Sequence, residues 1–218
     1  MTARRATVLA LTLAAALCAA SGPGLASPPG PGGDELAALG RRLTALGRRT
    51  TTLRAEFVQR KRLRLFKTDV TTRGRIAYQR PDRLRWETLP PDASVLLVTG
   101  QRAEVRLPGE RPRVIDLARN RTMGILVEQL MVWLGARPAG ELTRHYEVQL
   151  QTRPDRGAQL QLIPRDAALR KRVKALAVTL DGALTIRSVE VTQPGGDSTL
   201  ISFDKIERNA KLAPGLFH

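Results

Sequence analysis

Cysteine is nearly missing from this 218-residue chain: Cys18 is the only one. It falls in a segment with the grammar of a secretory signal. Arg4 and Arg5 precede an apolar run from Val8 to Ala20. Gly22, Pro23 and Gly24 break that run, and small residues lead to Ala26. Cleavage is expected after Ala26, giving residues 1–26 as signal peptide, 27–33 as a flexible Pro/Gly leader and 34–218 as one domain. The mature chain then has no thiol, which excludes a disulfide framework, a cysteine metal site and a cysteine nucleophile. The apolar run is too short to span a bilayer comfortably.

Histidine is as scarce, with only His145 and His218. No HExxH and no pair of ligands at metal spacing is present, so a metal site is not expected. No Gly-x-Ser-x-Gly elbow, dinucleotide fingerprint or P-loop occurs. Asp69, Asp82, Glu87, Asp92 and Asp116 fall near turns or beside arginines, where solvated or ion-paired roles suit them better than acid–base work. We therefore expect neither catalysis nor a cofactor. Acidic residues are also few against 36 basic ones, for a net charge of +16. Nucleic-acid binding would need aromatics interleaved with the cations. Here the few aromatics alternate toward the presumed inner face, and export separates the chain from nucleic acid. Lysine accounts for six of the basic residues and arginine for thirty, spread along the whole chain. That distribution reads as solvated surface more than as a binding patch.

Regular periodicity fills the remainder. Leu36, Leu39, Leu43 and Leu46 follow Asp34, an expected N-cap, as one stripe of a short amphipathic helix. Arg41, Arg42, Arg48 and Arg49 lie on its other side. Such a stripe usually packs on a core. From about Leu53 the period drops to two. Phe57 to Leu117 reads as a meander of antiparallel strands, including 74–79, 83–88, 94–100, 102–108 and 113–117. Arg80-Pro81-Asp82-Arg83 reads as a type I turn. Met123–Ala136 has helical spacing and is apolar on more than one side. Strands resume at 145–152, 158–165, 176–180, 184–193 and 198–206, with a phase slip between Ile186 and Val189 that suggests a β-bulge. About ten antiparallel strands must curl or split into two layers. No parallel βαβ unit is indicated.

One hairpin is more specific. "GRIAYQRPDRLRW" (Gly74 to Trp86) resembles the hallmark of the periplasmic outer-membrane lipoprotein carriers of the LolA type. "FVQRKRL" upstream is similar to that family's Phe-x-Gln strand. "PPDASVLLVTGQRAEVRLPGERPRVIDL" is similar to its next strands, although Thr99-Gly100 stands where an Asp-Gly turn is usual. "VTQPGGDSTLISFDKIERNAKLAPGLF" resembles its C-terminal strand pair.

The resemblance implies a mainly β (α+β) fold: an incomplete antiparallel β-barrel of about eleven strands, covered by an N-terminal and a central helix. It implies a periplasmic carrier whose apolar cavity takes the acyl chains of lipoproteins from the inner to the outer membrane. The implied partners are an inner-membrane ABC-type releasing transporter and an outer-membrane acceptor, and the carrier is expected to be a monomer. The family's arginine before proline bonds the covering helix and holds the empty cavity shut. Arg80 with Pro81 is the corresponding latch. Phe57, Ile76, Tyr78, Leu84, Trp86, Leu96, Val98, Leu130 and Trp133 are the expected cavity residues, with plain barrel core as the alternative. Three other readings stay open: a paralogue carrying a glycolipid or polyene-type lipid, a LolB-like receptor anchored through Cys18, and an interaction module with a filled core.

Overall fold

The computed structural model describes residues 33–64, 68–134, 140–153 and 157–218. The expected signal peptide and all but the last leader residue lie outside them. Helix α1 spans Gly33–Arg49, with Asp34 and Glu35 in its first turn and Arg48 and Arg49 in its last. Both pairs complement the helix dipole. Asp34 thus sits inside the first turn and not at the cap.

The strands are β1 (Thr52–Arg62), β2 (Val70–Gln79), β3 (Arg83–Thr88), β4 (Ser94–Thr99), β5 (Arg102–Arg106) and β6 (Arg113–Asp116). Helices α2 (Arg121–Trp133) and α3 (Glu141–His145) follow. Then come β7 (Tyr146–Thr152), β8 (Ala158–Pro164), a single helical turn α4 (Ala167–Arg170), β9 (Ala175–Leu180), β10 (Ile186–Thr192) and β11 (Ser198–Arg208). Neither α3 nor α4 is evident in the residue pattern, because one turn of helix is too short to show a period. His145 accordingly closes α3 and does not open a strand.

The eleven strands form one antiparallel sheet in the order β6-β5-β4-β3-β2-β1-β11-β10-β9-β8-β7. Every neighbour but one is also a neighbour in sequence. The exception, β1 beside β11, brings the two ends of the chain together through pairs such as Phe57 with Phe203. Edges β6 and β7 do not pair, so the barrel is open, and the chain crosses from one edge to the other through α2 and α3. The expected bulge is present as a register shift between Ile186 and Ser188 against β9. The bend after β2 is not the expected type I turn with two central residues. Gln79 pairs with Arg83 across a three-residue link, Arg80 to Asp82, and the Arg80–Pro81 peptide is cis.

Alternation buries one face of each strand. Leu53, Ala55 and Phe57 of β1, Leu160 and Leu162 of β8, and Leu176, Val178 and Leu180 of β9 all turn inward. Two clusters result. One joins α2 to β1–β5, and the other joins α1, α2 and α4 to β7–β10. Phe203 of β11 touches both. Helix α2 serves both clusters through different residues: Val127 and Met131 face the first, Ile125 and Val132 the second. Asn120 caps α2 by accepting a hydrogen bond from the Met123 amide at 3.1 Å.

Candidate lipid-binding hollow and its latch

Around the hairpin, the aromatic residues meet. The Phe57 and Trp86 ring centroids are 4.6 Å apart and tilted, and Phe203 stands edge-on to Trp86 at 6.4 Å. Gly74 explains itself here. It pairs with Phe57 across the sheet, and a β-carbon at position 74 would run into the Phe57 ring and the Glu87 carbonyl. The motif's glycine is therefore the floor on which an aromatic ring lies. Tyr78 is fully buried, and its hydroxyl donates to the Pro81 carbonyl at 3.4 Å. Of the expected cavity residues, Phe57, Ile76, Tyr78, Leu84, Trp86, Leu96, Val98 and Leu130 all gather in this one cluster. Trp133 ends α2, and its side chain lies outside the described ones.

These residues pack against each other, and the largest described hollow lies elsewhere. It measures about 890 Å³ and runs between α1, α3 and the β7–β8 side, lined by Leu36, Leu39, Leu43, Leu142, Val148 and Leu160 with Ala37, Gly40, Thr44 and Ala45. That volume lies in the upper part of the ~300–1,000 Å³ typical of small-ligand sites. The leucine stripe of α1 was legible as a core-facing stripe. Leu39 is in the core, with Leu36, Leu43 and Leu46 packed against it; that the same stripe also borders a space depends on which strands it lies over, and no local pattern carries that. Leu142 sits on α3 and had no signal.

A network of hydrogen bonds fastens the C-terminal end of α1. The last carbonyls of a helix lack partners within it. Arg80 Nη1 donates to the Arg48 carbonyl at 2.9 Å, and Asn209 Nδ2 donates to the Arg49 carbonyl at 3.1 Å. Asn209 Oδ1 also accepts from the Thr51 amide at 2.8 Å, and the Arg80 amide donates to the Thr51 carbonyl at 2.8 Å. Arg80, the expected latch, thus donates a hydrogen bond to the C-terminal end of α1. Asn209 escaped the sequence reading. Its backbone is in the left-handed region, φ 58°, a conformation asparagine tolerates better than most residues, but nothing in one sequence marks it.

Four described side chains bury a polar atom without a hydrogen-bond partner. They are Thr72, Arg172, Gln129 at both amide atoms, and Tyr146, whose hydroxyl burial pushes well above its ordinary pKa. Gln129 lies between Ile125 and Val132 on one face of α2 and is 4% exposed. Elsewhere the carboxylates behave as expected from the sequence. Arg62 pairs with Asp69, Arg85 with Glu87, and Arg119 with Asp116. No helix among the described residues is long and apolar enough to cross a membrane.

An open antiparallel barrel, covered by helices and bordered by an apolar hollow, is an architecture with room for an amphiphilic molecule. Residues 48–218 match the family described as outer membrane lipoprotein carrier protein LolA, and the chain belongs to that family. Among solved structures, it resembles the LolA superfamily protein NE2245 from Nitrosomonas europaea at 11% identity and TM-score 0.46, covering 84% of this chain and 97% of that one. A putative outer membrane lipoprotein-sorting protein domain from Vibrio parahaemolyticus is 14% identical with TM-score 0.47, covering 84% and 94%. The Mycobacterium tuberculosis lipoprotein LppX is 10% identical with TM-score 0.43, covering 83% and 100%. No curated protein matches the chain.

Proposed function

We propose that this protein is a periplasmic carrier. It takes the acyl chains of lipoproteins into the hollow beneath α1 and shuttles them from the inner to the outer membrane. It is exported by the signal segment 1–26, loaded by an inner-membrane ABC-type transporter, unloaded to an outer-membrane acceptor, and works as a monomer. The observation that carries this reading is the apolar hollow of about 890 Å³ beneath a helix tied down through Arg80.

The energetics favour such a device. Burying an acyl chain is worth about 0.8 kcal/mol per CH₂, so a chain of ~16 carbons gains on the order of 10 kcal/mol. A carrier offering all of that would not let go. Closing a roof that makes its own polar contacts competes with cargo and lowers the apparent affinity by the free energy of the closed state. The Arg80–Arg48 bond supplies such a contact. Gln129 acts in the opposite sense, because a buried amide without partners costs about 1–3 kcal/mol and reduces the gain from seating α2.

Native mass spectrometry of the protein purified from a periplasm tests the reading. Acylated material should co-purify, and Leu43→Trp, which fills the hollow, should lose it. Wild-type protein free of lipid and unable to take up a hydrophobic dye would overturn the proposal.

A further inference from the structure

The mouth of the hollow carries charge of one sign. Arg41, Arg48 and Arg49 of α1 are exposed at its edge, and no Asp or Glu is among the described residues that line it. None of the three is ion-paired with a carboxylate among the described residues. Helix-dipole complementarity accounts for arginines in the last turn, and so for Arg48 and Arg49. It does not account for Arg41, which lies mid-helix. Arg41 and Arg48 are two turns apart and share one side of α1, roughly 10 Å from each other along the axis. Arg80, bonded to the Arg48 carbonyl, brings a fourth cation to the same helix end. Clustered cations beside a low-dielectric hollow repel each other and concentrate anions.

We propose that the amphiphile held in the hollow bears an anionic group, phosphate or carboxylate, next to its alkyl chains, and that Arg41, Arg48 and Arg49 hold this group at the mouth. This rests on the carrier reading and narrows its cargo to lipids, or to lipoproteins with an acidic group beside the anchor, because the ester, thioether and amide linkages of an acylated terminus are themselves neutral. Guanidinium forks match both anions in bidentate geometry, while the tails lie along Leu36 and Leu43. A neutral or zwitterionic headgroup would leave the arginines uncompensated.

The test is displacement of a hydrophobic dye by lyso-phosphatidylglycerol or lyso-phosphatidylcholine of equal chain length, each below its micelle concentration. The anionic lipid should bind about tenfold tighter, and the preference should shrink at high salt. The triple variant Arg41→Gln/Arg48→Gln/Arg49→Gln should bind both lipids alike. Arg73→Gln/Arg111→Gln/Arg113→Gln removes the same charge away from the hollow and should keep the preference. Equal wild-type affinity for the two lipids, or a preference that survives the first triple variant, overturns the inference and leaves the carrier reading standing. Displacement by neither lipid overturns both. Co-sedimentation with phosphatidylglycerol and phosphatidylcholine vesicles separates a bound headgroup from a membrane surface. A preference seen on vesicles alone would assign the arginines to membrane docking and also overturn the headgroup site.

Discussion

The two sides of the barrel solve the same problem differently. On the β1–β5 side, rings meet rings: Phe57, Trp86 and Phe203 interlock over Gly74, and Tyr78, Leu84 and Val98 are sealed beneath them. On the β7–β10 side the inward residues are almost all aliphatic, and the helix above them is anchored by hydrogen bonds at its C-terminal end, leaving a hollow beside its leucines. Aromatic side chains each cover a large area and fill space with few rotamers. The leucines and valines of β8, β9 and β10 here are just as sealed, and it is Leu36, Leu43 and Leu46 of α1 that stay only half-buried. One side is thus sealed by rings, and the other borders a hollow. The hairpin that resembles the family belongs mainly to the first side, while its Arg80 donates a hydrogen bond to the end of α1 on the second.

Truncating the two sides should break or confirm that division. Phe57→Ala is expected to cost about 3–4 kcal/mol in denaturant unfolding, and Leu43→Ala about 1 kcal/mol, because leucine beside a void has fewer atoms to lose. Equal costs would show that both sides are packed alike. Gly74→Ala comes next, at about 2–3 kcal/mol, since ring and backbone must both yield to the new methyl. A neutral result would deny that the ring rests on the glycine.

Arg80→Leu removes a partly solvated hydrogen bond to a carbonyl and should lower stability by about 1 kcal/mol. Its larger consequence is expected in transfer. The variant should load lipid yet pass less of it to acceptor vesicles, measured with labelled cargo, and unchanged transfer would refute the latch.

The smallest effect concerns Asp181, in the turn from β9 to β10. Burial acts to raise its pKa, but the Thr185 and Ala183 amides and the Arg187 guanidinium outweigh it and hold the carboxyl below the usual range. The unfolded value is about 3.9. Its stabilisation is therefore complete above that pH and lost as pH falls through the lower folded value. Asp181→Asn should flatten this part of the acid limb of a stability–pH curve. An identical acid limb would show that the turn contributes nothing.

Much of the strand plan was legible because alternation is a local property. Leu53–Ala55–Phe57, Ile76–Tyr78 and Leu176–Val178–Leu180 each announce their inner face, and the phase slip at Ile186 marks the bulge. Arg80 was legible through a resemblance, and its bond to α1 gives that resemblance a geometry. The hollow was not legible. Leu36, Leu43, Leu142, Val148 and Leu160 read as ordinary core or carry no signal, since a side chain facing a void and one facing a neighbour obey the same period. Asn209 was invisible for a related reason: its partners Thr51 and Arg49 lie some 160 positions away.

By itself, then, the order of residues determined a long antiparallel meander, an amphipathic helix before it, an apolar helix within it, and a glycine–arginine–tryptophan hairpin of recognisable family. Those depend on periodicity, turn chemistry and steric room along the chain. The tertiary structure alone decided that β1 closes against β11, that β6 and β7 stay apart, and that a hollow of about 890 Å³ opens beside α1. Voids and edges are set by how distant surfaces fit, and that fit depends on volumes summed over elements far apart in the chain.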